Sequence, residues 1–385
     1  MSILARFGIP AIINATGTNT RLGGALMAPE VTDAMREAAS LSVEIPDLQA
    51  GASRVIARVT GAEAGIVTAG ASAGLLLGAA ACLTRLDPAA MNRLPATGGR
   101  NAFIIARGQR NMYDRAITVA GGRIVEVGIP DRYSGPGVRD ADAWEIEAAI
   151  TPDTAGICWL AQPQSLPRLP DVVRVARAHN IPVLVDAAAQ LPPADNLRRF
   201  IEEGADLVVF SGGKAIGGPQ SSGILCGRRD LVSSALAQML DLDVFPEYWR
   251  PPAEFGTLAQ LPGLPHHGIG RSCKIGKEEV IGLLVALEAF VAADPDARRL
   301  AWGDRLRLIL DASPWPGARI VDAAVPRLEL PAADPDALFA HLIAHDPPIH
   351  ASLADRHRGI VTLSPIALTD DQARMIWAWL SRWPG

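Results

Sequence analysis

The chain has little of several features that mark specialised proteins. It has four cysteines in 385 residues, 5% aromatic residues and a formal net charge of −5. Cys82, Cys158, Cys226 and Cys273 lie far apart, which excludes a dense disulfide framework and a zinc-finger spacing. The weak net charge disfavours a broad nucleic-acid surface. We therefore expect a cytoplasmic protein with reduced thiols.

The sequence also lacks a long apolar run. Its most apolar stretch near a predicted helix, residues 69–83, is rich in Gly and Ala and is shorter than the roughly 20 residues that span a bilayer. Nearly half of all residues are nonetheless apolar, which is typical of an ordered globular protein. Because one domain usually has about 100–200 residues, we predict more than one domain and no membrane segment.

The sequence does contain a regular alternation of short β-rich runs and helical stretches. Strands are predicted at 64–68, 102–106, 124–127, 156–160, 182–185, 207–210 and 223–226. This alternation favours an α/β fold with a mostly parallel central sheet covered by helices. The runs at 183–185 and 207–210 are entirely apolar, which predicts central strands.

The regions before and after this alternating stretch differ from it in composition and in their predicted elements. A Pro-, Gly- and His-rich segment, 245–270, separates it from the C-terminal part. Further elements are predicted as an irregular arm at 14–27, helices at 29–40, 53–60, 277–293, 334–344 and 369–383, and strands at 319–321, 327–330 and 359–363. We predict an N-terminal arm with helices, 1–60, a large domain, 61–265, and a linking helix with a small α+β domain, 266–385.

Two polar residues follow the predicted central strands. Asp186 comes directly after 183–185, and Lys214 comes four residues after 207–210. Ligands bind at the carboxyl edge of an open α/β sheet, so both groups are expected to face one ligand. Pyridoxal 5'-phosphate (PLP) needs this pair, because a lysine forms its Schiff base and an aspartate keeps its pyridine nitrogen protonated. The alternative is a turn-capping aspartate and an ordinary surface lysine.

A small-residue loop precedes this pair in the chain. The segment 68–74 lies between a predicted strand and a predicted helix, where backbone N–H groups bind anions. The candidate ligands of the PLP phosphate are Gly70, Ala71, Ser72, Ala73 and Ser211. A Gly- and Ala-rich helix start is also common for packing alone, and Ser211 has an alternative role in capping a strand end. The order of phosphate loop, aspartate and lysine favours the cofactor interpretation.

Other polar residues are candidates for the same crevice. Gln109, with Asn111 and Tyr113 behind it, follows the predicted strand 102–106 and is predicted to lie over the cofactor ring. Arginine binds carboxylates and phosphates with paired hydrogen bonds. The cations predicted to bind the substrate are Arg21, Arg271, Lys274 and Lys277. A solvated basic turn is the alternative for the last three.

These motifs together resemble the selenocysteine synthase-like family of fold-type I PLP enzymes, which includes L-seryl-tRNA selenium transferase and D-glucosaminate-6-phosphate ammonia lyase. The matching stretches are INATGT at 13–18, DLQAG at 47–51, TAGASAG at 68–74, VDAAAQ at 185–190, SGGK at 211–214 and KEE at 277–279. The resemblance covers most of the chain. It implies an aspartate aminotransferase-like domain, PLP on Lys214, Asp186 at the pyridine nitrogen, and a homodimer or larger homo-oligomer with shared active sites.

The resemblance is greater to the small-molecule branch, because members acting on seryl-tRNA look longer and more basic. It implies a PLP-dependent lyase acting on a small amino acid or amino-sugar acid. Abstraction of the α-proton by Lys214 and β-elimination would then yield a 2-keto acid and ammonia. A racemase, an epimerase or an aminotransferase would share the first steps. A non-catalytic protein that binds PLP or an amino acid is the alternative from another class, and aminoacyl-tRNA modification is a more distant one.

Overall fold

The computed structural model describes residues 3–129, 140–310 and 315–383. Within these ranges the helices are α1 (Ile3–Arg6), α2 (Pro29–Ala39), α3 (Ile45–Thr60), α4 (Ala71–Thr84), α5 (Pro88–Arg93), α6 (Arg115–Val119), α7 (Ala143–Ala148), α8 (Leu169–Ala178), α9 (Asn196–Glu202), α10 (Arg229–Met239), α11 (Lys277–Ala292), α12 (Pro295–Leu310), α13 (Pro335–Ile343) and α14 (Asp370–Leu380). The strands are β1 (Ile13–Asn14), β2 (Ala64–Thr68), β3 (Ala102–Ala106), β4 (Arg123–Val127), β5 (Thr154–Leu160), β6 (Val183–Asp186), β7 (Leu207–Ser211), β8 (Gly223–Gly227), β9 (Arg319–Val321), β10 (Arg327–Pro331), β11 (Ile349–His350) and β12 (Ile360–Leu363). None of the described helices is long and apolar enough to cross a membrane.

The described residues form two compact units. The sheet unit comprises Pro29–Gly212 and Ser221–Glu288, and the terminal unit comprises the described parts of Met1–Ala28, Gly213–Gln220 and Ala289–Gly385. This division differs from the predicted ranges 1–60, 61–265 and 266–385. Helices α2 and α3 belong with the large sheet rather than with the N-terminal arm, and so does most of α11. The arm itself joins the C-terminal part, because β1 pairs with β11.

The sheet unit is built on seven strands in the order β2-β8-β7-β6-β5-β3-β4. Strand β8 runs antiparallel to its neighbours β2 and β7, and the other strand pairs are parallel. Every residue of β6 is buried, as expected for a strand with helices on both faces. The predicted α/β fold with a mostly parallel sheet is confirmed.

Helix α4 packs unusually close to the centre of this sheet, because it has glycines on the contacting face. A Cβ at Gly74 would lie 3.0 Å from Val209 Cγ1, and one at Gly78 would lie 2.9 Å from Leu184 Cδ1. Small residues allow such an approach of backbone to side chain. The close packing fixes the start of α4 at the carboxyl edge of β6 and β7.

Helix α3 completes the outer edge of the sheet through polar side chains. Gln49 is buried and forms two hydrogen bonds with the backbone of Val67, one from Nε2 to the carbonyl oxygen (3.0 Å) and one from the Val67 N–H to Oε1 (2.9 Å). Ser53 Oγ accepts a further bond from the Gly65 N–H (3.1 Å). Since β2 is an edge strand, these side chains supply the partners that a neighbouring strand would otherwise give.

The terminal unit has its own core. Strands β12, β10 and β9 form an antiparallel sheet in that order, and helices α12, α13 and α14 contribute buried side chains such as Leu306, Leu338 and Ile376. The central strand β10 also buries Glu329, which is 2% exposed and pairs with Arg319 (2.9 Å) and Arg327 (3.1 Å). Strands β9, β10 and β12 and helices α13 and α14 lie at the predicted positions, within a few residues.

Candidate active site

Asp186 is the last residue of β6 and lies at the carboxyl edge of the central sheet. It is 7% exposed, and its Oδ1 accepts a hydrogen bond from the Ala188 N–H (3.1 Å). Its register partners are Leu160 on β5 and Val209 on β7, and the Ala187 N–H donates to the Val209 carbonyl oxygen (3.0 Å). The sheet thus holds this carboxylate rigidly at the edge where α/β proteins bind ligands.

The register of β8 brings the small-residue loop and Ser211 to that same edge. Gly223, the first residue of β8, is paired with Thr68 at the end of β2 and with Ser211 at the end of β7. Adjacent strands are about 4.8 Å apart, so Thr68 and Ser211 are roughly 10 Å apart across Gly223. The sheet therefore places Ser211 beside the loop that begins at Thr68.

The loop turns into α4 at Gly70, whose φ of +86° suits glycine. Thr68 Oγ1 donates to the Gly70 carbonyl oxygen (2.9 Å) and fixes the turn. The N–H groups of Ala71, Ser72 and Ala73 belong to the first helical turn, where the backbone donors have no partner four residues earlier. A start of this kind on a 14-residue helix is suited to an anion such as a phosphate.

Gly223 is a residue of this site that sequence reasoning missed. A Cβ there would lie 2.5 Å from the Gly70 carbonyl carbon and 2.7 Å from the Ala71 nitrogen. Any side chain at 223 would therefore displace the turn that opens α4. The sequence carries no signal for this role, because a glycine at the start of a strand has many possible reasons.

Lys214 belongs to the terminal unit and comes three residues after Ser211 in the chain. Its carbonyl oxygen accepts a hydrogen bond from the Gly217 N–H (3.0 Å). The preceding Gly213 carbonyl oxygen accepts one from the Ala25 N–H (3.0 Å), and a Cβ at Gly213 would lie 2.5 Å from Gln220 Cα. The lysine thus follows a turn that only glycine permits and that the N-terminal arm holds in place.

Arg21 lies in the same part of the terminal unit. It is in the short helix Thr20–Leu22, where its N–H donates to Asn19 Oδ1 (3.0 Å) and the Thr20 carbonyl oxygen accepts a bond from Gln220 Nε2 (2.5 Å). The arm that carries Arg21 is therefore bonded to the segment that carries Lys214. The structure brings these two predicted site residues into neighbouring segments.

His350 of the terminal unit was missed by sequence reasoning. It is in register with Asn14 in the β1–β11 pair. Burial lowers the pKa of the His350 imidazole, and the positive charge of Arg21 lowers it further. A lone histidine within a short apolar run offers no signal in the sequence.

Gln109 has a structural task in the sheet unit. It is 3% exposed, its Oε1 accepts a hydrogen bond from the Leu160 N–H (2.9 Å), and its Nε2 donates to the Leu166 carbonyl oxygen (3.0 Å). The amide thus links the end of β5 to the loop that follows it, and a position of Gln109 over the cofactor ring stays a prediction. Asn111 caps the next turn by accepting from the Tyr113 N–H (2.7 Å).

The predicted basic turn of the sheet unit has carboxylate partners for two of its three cations. Arg271 pairs with Asp241 (2.7 Å), which lowers the pKa of that carboxyl group, and Lys277 pairs with Glu278. Lys274 is exposed. Arg271 and Lys274 line a cavity of about 620 Å³ that also contains acidic side chains. The turn is thus a mixed-charge surface rather than a purely basic one.

Comparisons with known proteins assign the chain to a family. The sequence matches the SelA family, described as L-seryl-tRNA selenium transferase, over residues 12–243. It is 34% identical over 298 residues to a D-glucosaminate-6-phosphate ammonia lyase of Salmonella typhimurium (strain 14028s / SGSC 2262), covering 75% of this chain and 70% of that protein. It is 32% identical over 305 residues to a 5'-C-glycyluridine monooxygenase-decarboxylase of a Streptomyces species, covering 76% of this chain and 66% of that protein.

A solved structure of a D-glucosaminate-6-phosphate ammonia-lyase matches the fold with a TM-score of 0.80 and 29% sequence identity, covering 99% of this chain and 97% of that chain. The predicted resemblance and the predicted fold-type I class are both confirmed. The chain belongs to the SelA family of fold-type I PLP-dependent enzymes.

Proposed function

We propose that the protein is a PLP-dependent ammonia lyase that acts on a 2-amino-3-hydroxy acid, with amino-sugar acids such as D-glucosaminate 6-phosphate as the first candidates. The observation that carries this proposal is the likeness, over almost the whole chain, to a solved D-glucosaminate-6-phosphate ammonia-lyase. The D-glucosaminate-6-phosphate ammonia lyase of Salmonella typhimurium, which is 34% identical to this chain, supports the same reaction. An amino acid with a β-hydroxyl group is a second substrate class with the same reactive atoms.

The residues at the sheet edge fit PLP. The buried Asp186 carboxylate matches a protonated pyridine nitrogen, and the first turn of α4 with Ser72 and Ser211 matches a phosphate. The close approach of Gly223 to the turn at Gly70 keeps that turn open for an anion. Lys214 would hold the cofactor covalently through Nζ. When bound, PLP supplies a sink for the electrons left behind when the substrate loses its α-proton.

The chain's own residues have separate tasks in the proposed reaction. Asp186 would hold the pyridine nitrogen of PLP, and the register of β6 with β5 and β7 fixes the backbone that carries it. Lys214 Nζ would be the base that takes the α-proton of the substrate. The β-hydroxyl leaves as water with one added proton, a water is later consumed, and the net result is a 2-keto acid and ammonia.

Recognition of the substrate requires cations for its carboxylate and, in a sugar acid phosphate, for its phosphate. We propose Arg21 and Lys274 for this task, with Arg271 and Lys277 as further candidates. The latter two already pair with Asp241 and Glu278, so an incoming anion would compete with those carboxylates.

We further propose that the protein is a cytoplasmic homodimer with active sites that both copies complete. In the terminal unit, Ile3, Phe7 and Ile9 are each more than half exposed, and in the sheet unit Phe245 and Tyr248 are about 70% exposed. Exposed apolar side chains that form a patch are a common mark of a protein–protein interface. Light scattering coupled to size-exclusion chromatography tests the dimer, and a monomer at micromolar concentration would reject it.

The test of the proposed function is a spectrum followed by a product assay. The purified protein with added PLP is expected to show a visible absorbance band that borohydride abolishes, with the label recovered on the peptide that contains Lys214. Incubation with D-glucosaminate 6-phosphate is then expected to release ammonia and a 2-keto acid in equal amounts. A labelled lysine with no ammonia from any β-hydroxy amino acid tried would reject the lyase and favour a racemase or an aminotransferase. No band at all would favour the non-catalytic alternative.

The relationship to a 5'-C-glycyluridine monooxygenase-decarboxylase makes an oxygen-dependent decarboxylation the second candidate. The same assay distinguishes it, because an ammonia lyase needs no oxygen and releases no carbon dioxide. Release of carbon dioxide that stops under anaerobic conditions would replace the first proposal with the second.

A further inference from the structure

A second cavity lies in the sheet unit beside the strand ends that carry Asp186. It has a volume of about 620 Å³ and is enclosed by the loops that follow β5 and β6 and by the helices α8 and α9. Small-molecule sites in proteins commonly have volumes of roughly 300–1,000 Å³. Its lining does not include Asp186, Ser72 or Ser211. The cavity is therefore large enough for a small metabolite of its own.

The walls of this cavity are stiff. Four of the lining residues are prolines, and proline fixes the backbone φ angle. Pro163 and Pro170 lie on either side of Arg168 in the chain, and Pro192 and Pro193 precede Asn196. Arg168 Nη1 donates to the Pro163 carbonyl oxygen (2.7 Å), and Asn196 Nδ2 donates to the Gln190 carbonyl oxygen (2.6 Å). A site whose loops are already ordered binds a ligand with a smaller loss of conformational entropy.

The charged groups of the cavity have a specific arrangement. Arg168 and Arg199 both line it, together with the carboxylate of Glu203. Arg199 Nε bonds to Glu203 Oε1 (2.7 Å). The other oxygen, Glu203 Oε2, is buried and has no hydrogen-bond partner among the described residues. A buried carboxylate oxygen without a donor is unfavourable, so a ligand donor that draws the Glu203 carboxylate toward the cavity would relieve this cost.

The rest of the lining combines the amide side chains of Gln162, Gln190 and Asn196 with apolar side chains that suit a carbon skeleton. Trp159, Leu169 and Phe200 contribute to the wall between the charged groups. The Arg199 guanidinium lies 5.2 Å from the centroid of the Phe200 ring, which places it at the border of this wall. Apolar surface with a few fixed charged groups is the usual composition of a small-molecule site.

We propose that this cavity binds an amino carboxylic acid in its zwitterionic form. The ammonium group donates to the Glu203 carboxylate, whose Oε2 turns from its buried position toward the cavity. The ligand carboxylate binds Arg168 and the outer nitrogens of Arg199, and the ligand side chain lies along Trp159 and Phe200. Two cations and one carboxylate leave a net positive charge in the cavity. That balance suits a ligand whose carboxylate is recognised at two points and whose amine is recognised at one.

The cavity is joined to Asp186 through four residues. The Gln190 N–H donates to the Ala187 carbonyl oxygen (3.1 Å), and the Ala188 N–H donates to Asp186 Oδ1 (3.1 Å). Because Gln190 lines the cavity, a ligand there contacts the loop that holds the Asp186 carboxylate. The cavity is thus an effector site, and its influence on turnover, unlike ligand binding itself, rests on the proposed function.

Calorimetry with the borohydride-reduced holoenzyme tests ligand binding, since reduction stops an amine from reacting with the cofactor. The probes are L-phenylalanine, 3-phenylpropionate, which lacks the amine, and 2-phenylethylamine, which lacks the carboxylate. We expect L-phenylalanine to bind at least about tenfold more tightly than either analogue, a difference of about 1.4 kcal/mol. Equal affinities for the three probes, or no heat of binding at millimolar concentration, would overturn the proposal.

Two variants locate the bound probe. Arg168→Ala and Glu203→Gln are each expected to weaken L-phenylalanine binding by about tenfold or more. The matched controls are Arg174→Ala, an exposed arginine of α8, and Glu202→Gln, an exposed neighbour on α9; both are expected to leave the affinity unchanged. Unchanged binding in both cavity variants places the probe elsewhere and contradicts the proposal. A missing lyase activity leaves these binding measurements valid, so the two proposals fail independently.

Discussion

The sheet unit and the terminal unit each contain a buried carboxylate, and the two carboxylates have different roles. Asp186 ends a parallel strand at the carboxyl edge of its sheet, whereas Glu329 lies in the middle of β10. Arg319 and Arg327 each contact Glu329 with two nitrogens, and the contacts measure 2.9 to 3.3 Å. A carboxylate in the middle of a strand thus stabilises the fold, while one at a strand end is placed for a ligand. The strand ends of the sheet unit and the strand centre of the terminal unit should respond differently to mutation.

The largest expected effect comes from Asp186→Ala. Removal of one preorganised electrostatic group commonly lowers kcat by about 100-fold to 1,000-fold, and we expect at least this loss in kcat/KM. The thermal unfolding midpoint is expected to change little, because the residue is at the end of its strand. Steady-state kinetics and a thermal melt measure the two quantities. A variant that lost its fold together with its activity would make Asp186 a structural residue like Glu329.

The next effect concerns the turn that opens α4. Gly223→Ala would place a Cβ 2.5 Å from the Gly70 carbonyl carbon, and the turn must shift to accept it. We expect the PLP dissociation constant to rise about tenfold, measured by spectroscopic titration of the apoenzyme. The matched control is Gly256→Ala, where a Cβ meets nothing within 4 Å. The same PLP affinity in both variants would mean that Gly223 does not shape a phosphate site.

The complementary change in the terminal unit is Glu329→Gln. It leaves two arginines beside a neutral amide, and the expected loss in the free energy of unfolding is about 1–3 kcal/mol. The lower part of that range is the better guide, because Arg319 and Arg327 are 65% and 41% exposed and solvent screens their charge. Urea denaturation measures the loss, and kcat/KM of the folded variant should match that of the wild-type protein. Lower activity in a fully folded variant would contradict the division between the two carboxylates.

Local patterns predicted the strands of the sheet unit well because those strands are continuous apolar runs. The predictions 64–68 and 102–106 agree with β2 and β3 to the residue. Helix α3 was predicted only from 53 but begins at Ile45. Its first half buries Gln49 beside Leu48, Ala50 and Ala52, and the hydrogen-bond partner of Gln49 lies 18 residues away in β2. Periodicity in hydrophobicity cannot reveal a helix face that is buried through hydrogen bonds.

The candidate site was also predictable only in part from local sequence patterns. The positions of Asp186 at a strand end and of the small-residue loop at the start of α4 could be predicted because both leave local signals, and their roles toward PLP stay predictions. Gln109 was predicted at the cofactor from its position after a strand, whereas its hydrogen-bond partners Leu160 and Leu166, more than 50 residues away, could not be predicted from local sequence. Helix α12 was not predicted, because charged residues interrupt the spacing of its few buried side chains. Tertiary partners therefore decide the features that the sequence alone left open.

The smallest expected effect is the pH dependence of the terminal unit. The hydrogen bonds of Arg319, followed by those of Arg327, hold the pKa of Glu329 below its ordinary value of 4.5. A carboxyl group with a lowered pKa in the folded state contributes stability that is present above the pKa of the unfolded state and is lost as the pH falls through the folded pKa. The wild-type protein should therefore lose its advantage over Glu329→Gln below about pH 4.5, and urea denaturation at pH 7 and at progressively lower pH measures the difference. An advantage that stayed constant down to the acid limit of folding would mean that packing, rather than the charge of Glu329, stabilises β10.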